Sequence, residues 1–156
     1  MRVNYTTYDM RRDQDSINPR THPDIMMLAP TGTDSGHPYL YARVLGIFHV
    51  HAYRAAHGLN GDNDTPSRLL QVLWVRWFDL DTSAPGGFRR RRLHRLKWVD
   101  VGDGAFGFVS PDQVLRAVHL IPAFAHGKSD DALPGYSLAR LDFDGDEDWN
   151  FHYIGM

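Results

Sequence analysis

Two runs of β-forming residues constrain this chain more than any other feature. Residues 39–52 (YLYARVLGIFHVHA) and residues 69–78 (LLQVLWVRWF) are too apolar to be loops and rich in strand-favouring side chains. The second run is apolar on both alternating faces, as expected of a strand covered on both sides. Between them, residues 55–67 (AAHGLNGDNDTPS) hold two glycines, two asparagines, two aspartates and a proline, which reads as an exposed loop. Two long strands joined this way predict an antiparallel pair.

Shorter signals surround that pair. Residues 3–8 alternate β-prone types and predict an edge strand, and the polar, proline-punctuated residues 9–23 predict an ordered loop. Residues 25–28 read as a short strand ended by Ala29-Pro30, followed by a turn region over residues 31–38. After a turn at residues 79–87, residues 88–99 (FRRRRLHRLKWV) read as a third, amphipathic strand, with a helix as the competing assignment for the arginine-rich part. Ser110-Pro111-Asp112-Gln113 is a helix start: serine at the N-cap, proline at the first helical position and glutamine at the capping-box position. That single short helix spans about residues 111–117. Residues 118–124, which contain Pro122, then read as extended, at an edge or a bulge. The expectation is one domain over residues 1–156, mainly β: a twisted antiparallel sheet or partly open barrel. Its core covers about residues 22–125, and a less regular acidic and aromatic segment follows over residues 126–156.

Composition narrows the chemistry. With 42% hydrophobic and 23% charged residues in 156, the chain is an ordinary globular one. It has no cysteine, which removes disulfides, thiolate metal sites and cysteine nucleophiles together. No stretch approaches the roughly 18 apolar residues of a membrane span, and residues 1–12 lack a signal-peptide core. An intracellular, nuclear location without membrane contact is the expectation. A net charge of -2 argues against a wholly basic nucleic-acid binder, yet the charge is unevenly placed.

Arg89, Arg90, Arg91, Arg92, Arg95 and Lys97 concentrate six of the seventeen lysines and arginines in nine positions. Such a cluster attracts phosphate or an acidic partner, and the bland alternative is a solvated face or one paired with the five acidic residues in residues 142–148. His49 and His51 form a His-x-His pair able to chelate a metal, with His57 or His119 as a third ligand, so a metal-dependent enzyme is the alternative reading. No G-x-S-x-G, phosphate-loop or H-E-x-x-H motif occurs, and no cofactor or catalytic residue is expected. Asp142-Phe143-Asp144-Gly145-Asp146 resembles the start of a calcium loop but lacks the closing glutamate. Among the aromatics Tyr39, Tyr41, Trp74, Trp77 and Trp98, most should be core. Tyr39, Tyr41 and Trp77 with Asp79 and Asp81 could instead cage a methylated ammonium, at about 0.5–2 kcal/mol per ring.

The ordered segments HPDIMML, YARVLGIFHV, LQVLWVRWFDLDT and AFGFVSPDQVLRAVHLIPAF resemble the bromo-adjacent homology domain over about residues 22–125. That resemblance implies a β-rich core and binding to histone tails, nucleosomes or other chromatin proteins. Trp77, Asp79 and Asp81 fall where some members place cage residues, with Tyr39 or Tyr41 as partners. The family's Arg-Pro and glutamate-rich segment after the Trp-Phe pair are missing here. NYTTYDMRRDQDSINPRTHPDIM, YARVLGIFHV, LWVRWF and AFGFVSPDQVLRAVHLIPAFAHG also resemble a conserved region of basidiomycete proteins, some linked to Kyakuja, Dileera and Zisupton DNA transposons. This second likeness spans nearly the whole chain and implies a transposon-encoded accessory module. The expected function is a non-enzymatic chromatin- or DNA-associated module, with a purely structural protein-protein interaction domain as a further alternative.

Overall fold

The computed structural model describes residues 1–6, 12–30, 37–53, 67–140, 142 and 144–155. The N-terminal strands β1 (Arg2–Thr6) and β2 (Arg12–Ser16) pair with each other. Next come β3 (Asp24–Leu28) and the two long strands, β4 (Tyr39–Ala52) and β5 (Arg68–Leu80). They are followed by β6 (Arg95–Trp98), β7 (Phe106–Val109), β8 (Val114–Ala117) and β9 (His119–Pro122). The C-terminal stretch adds β10 (Lys128–Ser129), β11 (Asp148–Trp149) and β12 (His152–Gly155). The fold is mainly β, a twisted antiparallel arrangement in which no sheet closes into a barrel among the described residues. Among the described residues no helix is long and apolar enough to cross a membrane.

The main sheet has the order β8-β3-β4-β5-β6-β12-β9, with β7 also pairing β5. Because β5 is 13 residues long, one edge serves two neighbours: Leu73 to Arg76 pair with β7, and Phe78 to Leu80 with β6. Trp77 stands between, its N–H donating to the Ala105 carbonyl and its carbonyl accepting from Val99. β8 and β9 lie at the two ends of the sheet order, yet Val118 alone separates them in the chain. The sheet therefore curls until its ends meet at Val118, whose N–H donates to the Asp24 carbonyl at 3.0 Å.

Strand alternation divides the interior in two. On one face Ile25, Ala42, Val44, Leu73, Val75 and Val109 form a core against Ile17 and the β1–β2 pair. On the other, enclosed by the curl, Tyr41, Phe78, Leu96, Trp98, Leu120 and Ile154 pack together. Phe78 and Trp98 stack there at 3.9 Å, a contact worth about 0.5–1.5 kcal/mol beyond the area it buries. A bulge between Val44 and Gly46 shifts the register of β4 against β5, so Val44 and Ile47 face the same core although three positions separate them.

Several elements differ from expectation. The strand foreseen over residues 88–99 exists only as β6; Phe88–Arg90 is a single 3-10 turn. The helix expected at residues 111–117 is the 3-10 turn Pro111–Gln113, where Gln113 Oε1 accepts from the Ser110 N–H at 3.3 Å, and the chain is extended again from Val114. β2 occupies part of the stretch read as a loop over residues 9–23. The core does not stop at residue 125, since Asp148, His152 and Ile154 are buried and β12 sits between β6 and β9. The loop read at residues 55–67 and the turn read at residues 31–38 lie mostly outside the described residues.

Candidate functional site

The arginine run folds as a turn because two glycines precede it. A side chain at Gly86 would sit 2.6 Å from the Leu93 carbonyl oxygen, and Gly87 has φ +100°, a region glycine enters without steric cost. The Gly87 N–H donates to the Arg92 carbonyl at 2.7 Å and the Arg90 N–H to the Gly87 carbonyl at 3.0 Å. Arg91 completes the reversal at φ +51°, which an L side chain adopts at a cost of about 1–2 kcal/mol. Arg89, Arg90, Arg91 and Arg92 are all exposed, and no ion pair among the described residues engages them.

The other two cations of the run are separated from this group. Arg95 donates from Nε to Asp81 Oδ2 at 2.6 Å and lies 4.2 Å from the centroid of Phe151. Burial acts to raise the Asp81 carboxyl, but hydrogen bonds from Ser83 and Arg95 outweigh it and hold the group below its ordinary value. Lys97 lies opposite Asp79 across β5 and β6, and lines a cleft of about 240 Å³ with Asp131 and Asp148. Four of the six cations therefore form the basic turn, and two belong to local acidic surroundings.

The methylammonium cage is not assembled. Tyr41 is the register partner of Phe78, and Ala42 that of Trp77, so Tyr39 and Tyr41 project from one face of the sheet and Trp77 from the other. Trp77 packs on the outer core, Asp79 shares its face, and Asp81 is committed to Arg95. The tyrosines instead meet His37, whose ring centroid is 5.9 Å from Tyr39, 5.7 Å from Tyr41 and 4.9 Å from that of His94.

These rings line a groove of about 920 Å³ at one mouth of the curled sheet, and Arg91 and Arg92 form part of its wall. None of the described lining residues is acidic. Burial, and secondarily the neighbouring Tyr39, pushes the Tyr41 phenol up to about 12, so it stays neutral. Burial, then His37, draws His94 below the ordinary histidine value. A cation entering this groove would find no counter-ion among the described lining residues, whereas an anion would meet two guanidinium groups.

Beyond the groove, the enclosed face holds a polar network. Arg43 forms a bidentate pair with Asp24 at 2.8 and 3.0 Å, and Asp148 Oδ2 accepts from Arg76 at 2.9 Å and Arg140 at 3.0 Å. His152 stands edge-on to Phe78 and Trp98; burial and then Arg43 hold its pKa down at about 3. The sequence signal for this network is Arg76 itself, a lone charge inside the apolar run LWVRWF that requires a buried counter-ion. His37 and His94 carry no comparable signal.

His49 and His51 are exposed on the same face of β4, opposite Gln71 and Leu69. His57 lies outside the described residues, and His119 is on β9 at the sheet's end. No group of three or more metal-ligating side chains occurs among the described residues, so nothing there completes a site around His49 and His51. No protein-family model, curated protein or solved structure matches the chain.

Proposed function

We propose that this chain is a non-catalytic binding module for nucleic acid, gripping phosphate with the turn formed by Arg89, Arg90, Arg91 and Arg92. The observation that carries this reading is that all four arginines are exposed on one turn, without an ion pair among the described residues, beside a groove with no acidic residue among its described lining. Four guanidinium groups without a carboxylate partner among the described residues keep a positive field that a phosphate backbone neutralises. The resemblances to the bromo-adjacent homology domain and to the transposon-associated region support a chromatin or DNA setting, and with it a nuclear location.

The test is a titration of duplex DNA, single-stranded DNA and nucleosomes at two salt concentrations. Each phosphate contact contributes about 0.9 to the log-log salt slope on duplex, so four contacts predict a slope near 3.6 that a fourfold arginine-to-alanine variant loses. Wild-type protein that binds none of these ligands, or a variant that binds as well as wild type, overturns the proposal.

A further inference from the structure

We infer that the groove beside the arginine turn receives an unpaired nucleobase, so that the preferred ligand is single-stranded nucleic acid rather than duplex. This rests on the phosphate-binding reading above and adds to it a second, uncharged half of the ligand.

The groove is bipolar. One part is built from ring and aliphatic surface, Tyr39, Pro38, Leu93 and Ile154 with the imidazoles of His37 and His94; the other is Arg91 and Arg92. A ligand matching both parts combines a flat apolar ring with a nearby anion, the layout of a nucleotide unit. At about 920 Å³ the space falls within the range of roughly 300–1,000 Å³ usual for sites that enclose a small molecule, and so has room for a base with its sugar. A duplex cannot use it, because its bases are stacked and only their edges reach the surface. A single strand splays its bases out, and aromatic faces beside a basic track are the usual way to hold them.

Charge decides against the alternative occupant. Aromatic rings would also attract a methylated ammonium, but Arg91 and Arg92 on the wall repel a cation, and Asp79 and Asp81, which could offset them, lie elsewhere. The backbone of Arg91 points the same way: at φ +51° glycine would be the less strained residue, yet a long cationic side chain stands there on the groove wall.

The experiment compares three ligands of equal length with the full chain: a single strand, its duplex, and the same strand with abasic sugars, which keeps every phosphate and removes every base. Fluorescence anisotropy is expected to show the abasic strand binding at least about five-fold more weakly than the intact one. Tyr39→Leu, checked for folding by its melting transition, should bring the intact strand down to the abasic level and leave duplex affinity unchanged. Equal affinity of wild-type protein for intact and abasic strands overturns the inference while leaving the arginine turn as a phosphate site. Failure to bind any of the three overturns both. A free mononucleotide that binds as tightly as the strand would make the site one for a small molecule, and overturns the single-strand assignment.

Discussion

The guanidinium of Arg76 lies over the indole of Trp98, 3.8 Å from the ring centroid, while its Nη1 donates to Asp148 at 2.9 Å. Arg76 is 1% exposed, and Asp148 also accepts from the buried Arg140. One carboxylate thus serves two buried cations, and Arg76 also lies against the indole face.

Removing the shared acceptor should cost more than removing one donor. Asp148→Asn leaves two buried guanidinium groups without a counter-charge and is expected to lower stability by about 3–5 kcal/mol. Arg76→Met keeps Asp148 paired with Arg140 and places apolar bulk against Trp98, so the expected loss is smaller. Urea denaturation of both variants checks the order; equal losses would contradict the arrangement.

Arg95 and the arginine turn should separate cleanly. Arg95→Ala leaves the buried Asp81 carboxylate without its cation and is expected to cost about 1–3 kcal/mol, with DNA affinity within twofold of wild type. Replacing Arg89, Arg90, Arg91 and Arg92 with alanine should do the opposite, abolishing binding with little change in melting temperature. Parallel melts and anisotropy titrations distinguish the two outcomes.

Arg91→Gly should stabilise the protein and weaken it as a binder. Its φ of +51° suits glycine, and relief of the steric cost predicts a gain of up to about 1–2 kcal/mol, reduced by the freedom glycine adds to the unfolded chain. Loss of the guanidinium should lower affinity for nucleic acid in the same sample. A destabilised Arg91→Gly variant would show that the side chain supports the turn.

His152 makes stability depend on acid. Its folded pKa of about 3 lies below the ordinary value of 6.5, so the unfolded chain takes up a proton that the folded one refuses. The contribution is complete above pH 6.5 and is lost as pH falls toward 3, with a slope approaching about 1.4 kcal/mol per pH unit. His94 is shifted in the same direction and adds to the effect. Denaturant melts between pH 7 and 4.5 should show a shallower slope for His152→Gln than for wild type, whatever its stability at pH 7.

What the sequence revealed divides along the range of the interactions. The β4–β5 pair, β3 and the start of the helical turn after Ser110, though not its length, were legible because each rests on local periodicity or on turn residues. The basic turn was half legible: the cluster of charge was plain, but alternation of Leu93, Arg95 and Lys97 favoured one long strand, and Gly86 and Gly87 redirect the chain first. The cage failed on register. Whether Trp77 shares a face with Tyr41 depends on which residues of β4 and β5 stand opposite, and a shift of one position reverses the answer. The groove was beyond reach, since His37 and His94 come from segments distant in sequence and meet only when the sheet curls.

The partnership of Arg76 and Asp148 spans 72 positions of the chain. During translation the central strand is therefore made long before its counter-ion, and Arg140 is also added before it. A nascent polypeptide cannot finish its interior until β11 and β12 have left the ribosome exit tunnel. A message truncated ahead of the codon for Asp148 would yield a product with two stranded cations, a ready client for chaperones and proteases.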